Sequence, residues 1–349
     1  MRLLAGLVAG LLLCACTSTP AEDEPSSAPP EQTSSTPSGE NTDGDNAGGE
    51  PDATPTSQAP EVVDPVSLPA LMSKEYDGRG LRLGQVRERT ASYTSYQATY
   101  RGDGLRLSGV LNVPTGKGPF PAAVLAHGYI DPAIYRSGQG MTRERGVLAE
   151  AGYIAFHVDY RNHGGSDRDP DAELDLRLGY TTDVINAVAA LRRWDGPIDP
   201  DRIGLVGRSM GGGVVYNVLA VMPGLVGAGV AFAPVSSDAV DNFNRWTRPE
   251  RSETAAAIIA AHGAPERAKR FWRQISPRTY FDRISEPLMI HHGTLDDSCP
   301  IRWSGQTVAA LRSADKQVRY HVYEGEQHAF GPQFELSMRR TIAFLDASL

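Results

Sequence analysis

The sequence predicts an α/β fold in which a mostly parallel central sheet carries helices on both faces and a helical insertion covers one end. Three observations lead to this prediction. Short apolar runs typical of buried strands alternate with segments of helical period over most of residues 122–345. A G-x-S-x-G sequence, Gly207 to Gly211, joins one of these strands to a helix. A long polar stretch, residues 235–286, interrupts the alternation.

The first strands are predicted upstream of this alternation. Residues 81–89, 93–100 and 105–113 carry alternating, β-branched or aromatic side chains. Gly102-Asp103-Gly104 separates the last two segments and predicts a tight turn, so these segments should form an antiparallel hairpin. A short helix or lead-in is expected before them, at residues 66–73.

Strands and helices then alternate along the chain. Continuous apolar runs predict strands buried on both faces of a parallel sheet, at residues 122–126, 153–158, 203–206, 227–233, 287–292 and 318–323. Apolar residues at helical spacing predict helices at residues 141–151, 182–194, 212–220, 304–313 and 334–345. The carboxyl ends of the strands, and the loops that follow them, should therefore meet at one edge of the sheet.

The insertion at residues 235–286 is polar and helix-prone, and we interpret it as a cap over the carboxyl ends of the strands. Four aromatic residues within it either line a substrate pocket or form the cap's own small core: Phe243, Trp246, Phe271 and Trp272. Both roles are equally compatible with the sequence.

The N-terminus has the pattern of an export signal. The apolar run over residues 3–13 is too short to span a bilayer but typical of the core of a signal peptide. It ends in Leu13-Cys14-Ala15-Cys16, which resembles the bacterial lipobox because a leucine and a small residue precede Cys16. We therefore expect a lipoprotein signal peptide at residues 1–15 and a lipid on Cys16. Ordinary cleavage near Ala15, which would leave Cys16 unmodified, is the alternative.

Residues 16–65 are predicted to form a disordered acidic tether. From residue 17 onward this segment contains 11 acidic residues and no Lys or Arg, and it cannot bury enough apolar surface to offset chain entropy. Because the formal net charge of the whole chain is −8, residues 66–349 are close to neutral and offer no electrostatic basis for nucleic-acid binding. We expect this single catalytic domain to be held by Cys16 at the extracytoplasmic face of a bacterial cell membrane.

Ser209 is the predicted nucleophile. Between a strand and a helix, G-x-S-x-G is the pattern of a nucleophile elbow, in which a strained turn lifts the serine hydroxyl off the end of the sheet. The flanking glycines, Gly207 and Gly211, avoid collisions with the neighbouring strand and helix. A glycine turn with a purely structural role is the alternative.

The partners of Ser209 are predicted from chain order. A serine hydroxyl needs a base, and the base needs an acid to orient it; in sheets of this kind the order is serine, acid, histidine. Asp296 and Asp297 follow the strand at residues 287–292, and its place after the turn at Gly293 favours Asp296. His328 is the histidine in the loop after the last predicted strand, and we expect it to be the base.

Two backbone N–H groups are expected to bind the oxyanion of the transition state. One belongs to Met210, directly after the nucleophile. The other is predicted by position to belong to Tyr129, in the loop that follows the strand at residues 122–126. If His127-Gly128 only ends that strand, this second assignment fails.

No cofactor or metal ion is expected. The sequence contains no Cys/His set with metal-ligand spacing, no Walker loop and no dinucleotide-binding fingerprint. If Cys16 is acylated, Cys299 has no disulfide partner, and burial as a small apolar residue is its expected role.

With these residues in place, the chain from about Tyr100 onward resembles an α/β-hydrolase, and within that fold the catalytic domain of prolyl oligopeptidase-type serine peptidases. The motifs that carry the resemblance are residues 103–111, His127-Gly128, residues 199–204, residues 207–212, residues 292–297 and residues 325–330. The resemblance implies that Ser209, Asp296 and His328 form the catalytic triad. The chain departs from the family where a large β-propeller would precede the domain, and at Tyr129-Ile130, where the family often has Gly-Pro.

We therefore expect a membrane-anchored serine hydrolase that cleaves a small ester or a peptide through an acyl-enzyme. Ester hydrolysis is favoured because no propeller restricts access to short peptides. A peptidase of the prolyl oligopeptidase type is the first alternative, since it uses the same residues. A non-catalytic surface lipoprotein that binds a ligand on a hydrolase scaffold is the second, although it would not need an intact set of Ser209, Asp296 and His328.

Overall fold

The structure, a computed structural model, describes residues 60–349. The predicted signal peptide, Cys16 and the predicted tether up to residue 59 lie outside the described residues. Within the described part, Asp64 contacts the cap, since its Oδ2 lies 3.7 Å from Nδ1 of His262.

In the described chain, nine strands form one sheet in the order β1-β2-β3-β5-β4-β6-β7-β8-β9. The strands are Arg79–Arg89 (β1), Tyr93–Gly102 (β2), Leu105–Pro114 (β3), Phe120–Ala126 (β4), Ile154–Val158 (β5), Ile198–Arg208 (β6), Ala228–Phe232 (β7), Leu288–Gly293 (β8) and Val318–Tyr323 (β9). β1, β2 and β3 are antiparallel neighbours, and β3 is antiparallel to β5. Every other neighbouring pair is parallel, which confirms the predicted mostly parallel sheet.

The predicted hairpin is formed by β2 and β3. Its two-residue turn consists of Asp103 (φ 57°) and Gly104 (φ 76°), the left-handed pair that a type I′ turn requires. Most strands lie within two residues of their predicted bounds, and β6 differs most, because it begins at Ile198 rather than at Ile203. Ile198 pairs with Phe120 of β4 across an irregular register, and the Asp-Pro-Asp sequence that follows it looks like a turn when it is read alone.

Ten α-helices are present in the part of the chain that the structure describes. They are Leu68–Met72 (α1), Thr142–Glu150 (α2), Gly179–Arg192 (α3), Met210–Val221 (α4), Ala239–Asn242 (α5), Arg248–Glu250 (α6), Ser252–His262 (α7), Lys269–Gln274 (α8), Ile301–Ser313 (α9) and Phe334–Ser348 (α10). A π-helical turn, Phe243–Thr247, joins α5 to α6, and a 3₁₀ segment, Pro277–Arg283, follows α8. The predicted cap is thus helical.

The sheet is covered on both faces, as the continuous apolar strands predict. Alternate residues of β4 belong to two different cores: Val124 packs in a cluster with α3 and α4, whereas Leu125 packs in a cluster with α2 and α10. Both side chains are fully buried. Burial on two faces explains why β4 lacks the polar alternation of a half-exposed strand.

The glycines of the elbow allow α4 to approach β4 and β6 closely. A Cβ on Gly211 would lie 1.9 Å from the carbonyl oxygen of Ala126, and a Cβ on Gly207 would lie 2.2 Å from the carbonyl oxygen of Gly211. Both contacts are with backbone atoms, which cannot rotate away. The G-x-S-x-G sequence therefore sets the distance between the start of α4 and the end of β4.

Gly211→Ala should consequently destabilise the fold. We expect the free energy of unfolding to fall by about 3 kcal/mol, the upper part of the range for overpacking, as measured by urea denaturation. Gly305→Ala is the matched control: Gly305 lies on the exposed side of α9 with no atom within 4 Å of an added Cβ, and alanine should stabilise a helix there by about 0.5–1 kcal/mol. Equal stability of the two variants would contradict the steric role of Gly211.

Candidate active site

Ser209 occupies the strained turn that its motif predicts. Its backbone lies at φ 56° and ψ −120°, in a region that residues with a side chain rarely adopt. The turn is held by hydrogen bonds from the Ser209 N–H to the Phe232 carbonyl (2.9 Å) and from the Val235 N–H to the Ser209 carbonyl (3.1 Å). The nucleophile is therefore fixed to β7 and to the first residue of the cap.

The structure brings together the three residues predicted to form the triad. Nδ1 of His328 lies 2.8 Å from Oδ2 and 3.0 Å from Oδ1 of Asp296. His328 and Ser209 line the same pocket. In the described chain the Ser209 hydroxyl is not hydrogen-bonded to His328; its Oγ lies 3.9 Å from Sγ of Cys299. Bonds between a nucleophile and its base are often long without substrate and tighten when it binds.

Asp296 presents a fully buried carboxylate. Its Oδ1 accepts hydrogen bonds from the N–H groups of Ser298 (3.0 Å) and Cys299 (2.8 Å). Burial by itself would raise the pKa of this carboxyl, but hydrogen bonds from His292 and His328 and the nearby His328 charge hold the pKa well below its usual range. Asp296 is therefore an anion that can orient an imidazole.

The alternative acid, Asp297, points elsewhere. Its carboxylate accepts a long hydrogen bond from Ser298 Oγ (3.4 Å), and its carbonyl accepts one from Arg245 of the cap (2.9 Å). Asp297 is exposed, so its role in the structure is to join the loop after β8 to the cap.

The two residues predicted to form the oxyanion hole flank the nucleophile. Met210 is the first residue of α4, and a Cβ on Gly128 would lie 3.1 Å from Cβ of Ser209, so the loop after β4 touches the elbow. Tyr129 follows Gly128 and lines the same pocket as Ser209. Among the described residues, the backbone N–H groups of Met210 and Tyr129 have no hydrogen-bond acceptor, which leaves both available to a substrate oxygen.

The residues after β5 support the loop that carries Tyr129 through hydrogen bonds to its backbone. The Tyr160 hydroxyl donates to the His127 carbonyl (3.0 Å), and His163 Nε2 lies 3.2 Å from the Ile130 carbonyl. The buried Asp159 accepts from the Tyr135 hydroxyl (2.6 Å) and the Gly138 N–H (3.0 Å). The polar loop after β5 thus supports the loop that carries Tyr129, and its side chains Asp159, Tyr160 and His163 are buried.

The loop that carries His328 is held by two arginines. Arg208, which precedes the nucleophile, donates to the His328 carbonyl (3.1 Å) and pairs with the buried Glu144 of α2. The neighbouring Arg143 donates to the carbonyls of Ala329 (2.5 Å) and Phe330 (3.0 Å). These bonds link the backbone of the base to the elbow and to α2, which restrains the distance between Ser209 and His328.

A pocket of about 420 Å³ opens at Ser209 and runs between α4 and the cap. Residues on one face of α4, spaced three or four apart, form its base: Met210, Gly213, Val214 and Asn217. Of the four cap aromatics, Phe243 and Trp246 line the pocket, whereas Phe271 and Trp272 are buried in the core of the cap. Phe243 is itself buried, and its ring centre lies 4.7 Å from that of Trp272. Phe243 therefore has both of the proposed roles, whereas Trp246 lines the pocket and Phe271 and Trp272 belong to the core.

One wall of the pocket is an ion-pair cluster between the body of the domain and the cap. Glu173 accepts hydrogen bonds from Arg177 (3.0 Å) and from Arg251 of the cap (2.8 Å). The guanidinium of Arg177 also lies 4.5 Å from the ring centre of Tyr129. The pocket therefore combines an apolar base with a charged wall near the oxyanion loop.

Cys299 is a free, fully buried cysteine. Burial, followed by the charge of Asp296, raises the pKa of its thiol to about 12. Although its Sγ approaches the nucleophile, this thiol is protonated at neutral pH and packs as a small apolar side chain, as the sequence indicates.

Two structural features are absent from the described residues. No group of three or more His, Cys, Asp or Glu side chains between residues 60 and 349 is arranged to hold a metal ion. No helix in the same range is long and apolar enough to cross a membrane.

Comparison with known proteins identifies the family of the chain. The profile of the prolyl oligopeptidase family matches residues 140–349, more than half of the chain. An uncharacterized peptidase, YuxL of Bacillus subtilis (strain 168), is 27% identical over 259 residues, which is 70% of this chain and 36% of the relative. The match thus spans about one third of the length of that relative.

Solved structures share the fold. The acetyl xylan esterase of Paenibacillus sp. R4 superposes with a TM-score of 0.60 at 18% identity, covering 81% of this chain and 92% of the esterase. The acylaminoacyl peptidase of Pyrococcus horikoshii gives a TM-score of 0.59 at 22% identity, covering 75% of this chain and 42% of the peptidase.

The fold, the strained serine and the family match together define the class of protein: it is a serine hydrolase with an α/β-hydrolase fold. Within that class, the chain belongs to the prolyl oligopeptidase family. A purely ligand-binding lipoprotein, the second alternative from the sequence, is thereby set aside.

Three side chains at the site have no counterpart among the sequence predictions: Arg208, Glu144 and His292. Arg208 occupies the variable position of G-x-S-x-G, where the motif gives no expectation. Glu144 is one of several charged residues of α2, and only the tertiary fold shows that it is buried. His292 lies in β8 beside His291, and its position directly before the predicted turn at Gly293 is the one available signal.

Proposed function

We propose that this protein is a carboxylesterase of the prolyl oligopeptidase family that works from the outer face of a bacterial cell membrane. The observation that carries the catalytic part is the 2.8 Å contact between His328 and Asp296, in a pocket that also contains the strained Ser209. That arrangement provides a nucleophile, a base and an anion that orients the base.

In the proposed mechanism, Ser209 Oγ attacks the carbonyl carbon of the ester while Nε2 of His328 takes the hydroxyl proton. The carbonyl oxygen becomes an oxyanion, which the N–H groups of Met210 and Tyr129 stabilise. The bond to the alkoxide leaving group then breaks, and His328 returns its proton to that oxygen. A water molecule, activated by His328, hydrolyses the acyl-enzyme and frees Ser209. Asp296 remains ionised and fixes the imidazole tautomer throughout.

The preference for esters over peptides is supported by similarity in fold. The cap lines the pocket at Ser209 together with α4. The esterase similar in fold is covered over 92% of its length, whereas the acylaminoacyl peptidase is covered over 42%. The peptidase alternative is favoured by the family itself and by the name of YuxL.

Labelling with a fluorophosphonate probe tests the nucleophile. The wild-type protein should form a covalent adduct at Ser209, identified by peptide mass spectrometry, and Ser209→Ala should form none. Ser209→Ala should also lower kcat/KM by about 10⁴-fold or more, since removal of a nucleophile disables the whole triad. Absence of labelling in the wild type would contradict the proposed function.

A substrate panel separates the esterase from the peptidase. We expect p-nitrophenyl esters to give higher kcat/KM values than aminoacyl p-nitroanilides, as the proposed esterase activity requires. The Ser209→Ala variant corrects for background hydrolysis of each substrate. Preference for the anilides would overturn the esterase proposal and favour the peptidase.

The membrane location is proposed from the lipobox-like sequence that ends at Cys16. A diacylglyceryl group on Cys16 together with the N-terminal acyl chain would supply enough buried methylene groups for stable anchoring. Cys16→Ala should therefore release the protein from the membrane fraction, whereas Cys14→Ala, the matched control, should remain in it. Membrane retention of Cys16→Ala, measured by fractionation and immunoblotting, would contradict the anchor.

A further inference from the structure

The predicted triad acid contacts two histidines, and the proposed mechanism uses one of them. Oδ2 of Asp296 lies 2.8 Å from Nδ1 of His328 and 3.1 Å from Nε2 of His292. His292 belongs to β8 and is fully buried. It has no contact with solvent and therefore cannot exchange protons with substrate, which separates its role from that of His328.

The neighbours of His292 determine where its proton lies. Nε2 is close to two acceptors, the carbonyl of Cys299 (2.9 Å) and the carboxylate of Asp296. Because neither neighbour has a hydrogen to donate, Nε2 carries the hydrogen; it donates to the Cys299 carbonyl, and the same N–H lies against Oδ2 of Asp296 as a longer, second contact. Nδ1 lies 2.7 Å from Oγ of Ser304 in α9, so the hydroxyl of Ser304 donates to Nδ1. The imidazole is thereby fixed at both nitrogens.

This donor completes the restraint of the carboxylate. The backbone N–H groups of Ser298 and Cys299 hold Oδ1, and a rotation about the Cβ–Cγ bond, which moves both oxygens together, would lengthen these bonds. The contact from His292 opposes the same rotation at Oδ2, the oxygen that makes the shorter contact with His328. With both oxygens fixed, the plane of the carboxylate is fixed as well, and so is the direction in which it orients the base.

We propose that His292 is a positioning residue of the active site, which acts through Asp296 to aim His328 at Ser209. The proposal rests on the catalytic roles given above to these three residues. Through its bond to His292, Ser304 extends the same restraint into α9.

The neighbouring His291 provides a matched control. It lies in the same strand and is equally buried, but its side chain points to the opposite face of the sheet. Its Nδ1 lies 2.7 Å from the hydroxyl of Tyr323, and its Nε2 lies 3.1 Å from Oγ1 of Thr341. Loss of either histidine removes two buried hydrogen bonds. His291, unlike His292, is not hydrogen-bonded to any residue of the predicted triad.

The experiment compares kcat and KM for a p-nitrophenyl ester in His292→Leu, His292→Gln and His291→Leu. His292→Leu should lower kcat about 10-fold to 100-fold at unchanged KM, the size of effect expected when a catalytic group is misplaced by about 1 Å. Glutamine places an N–H at about the position of Nε2, so His292→Gln should recover most of the loss. His291→Leu should keep kcat within about twofold of wild type, although its stability falls.

Several outcomes would overturn the proposal. Wild-type kcat in His292→Leu, or an equal loss of kcat in His291→Leu, would show that the bond to Asp296 has no specific role. If His292→Leu does not fold, Ser304→Ala takes its place: it removes the donor to Nδ1 and should lower kcat at unchanged KM, and an unchanged kcat would count against the proposal. A wild type that is not labelled at Ser209 overturns the proposed function and this inference together, whereas a labelled wild type confines any failure to His292.

Discussion

The site depends on the close approach of α4 to β4 and β6, which two glycines permit. Gly207 and Gly211 leave space for backbone atoms where any side chain would collide, and the chain can then turn sharply enough to place Ser209 at a positive φ. Such a conformation is unfavourable by about 1–3 kcal/mol, and it persists because both flanking elements are buried in the core. Packing of the sheet and the helix, rather than any interaction of the serine itself, therefore stabilises the strained backbone conformation of Ser209.

The base and the acid are held by different means. Asp296 is fixed by direct hydrogen bonds to its carboxylate, whereas His328 is fixed through its backbone, which accepts from Arg208. Phe330, in the same loop, lies at φ 52°, so this turn is itself in the left-handed region and depends on such contacts. A buried Arg–Glu pair contributes little net stability, because desolvation offsets most of the attraction. Its effect here is geometric, since Glu144 holds the guanidinium of Arg208 where it donates to the His328 carbonyl.

The sequence contains enough information to predict the fold and to select three residues that the structure brings together, because both depend on local patterns. Apolar runs identify buried strands, glycine spacing identifies the elbow, and chain order then selects Asp296 and His328. Strand β6 was predicted too short, because its first residues pair with β4 through a register irregularity that no local pattern records. Arg208 and His292 were missed for a related reason. The alternation of side chains along a strand predicts that His291 and His292 face opposite sides of the sheet. Only the three-dimensional structure shows that His292 is the one that contacts Asp296.

The distribution of the site over the sheet has a consequence for how the enzyme assembles. Ser209 follows β6 near the centre of the sheet, whereas His328 follows β9 at one edge, so the two meet only after β7, β8 and β9 have paired in parallel. Parallel pairing joins residues far apart in sequence and is slow compared with helix formation. Synthesis must also reach the last strand before the base exists. A partly synthesised or partly folded chain therefore carries an elbow without its base, and reactivity appears late, as the final event of folding.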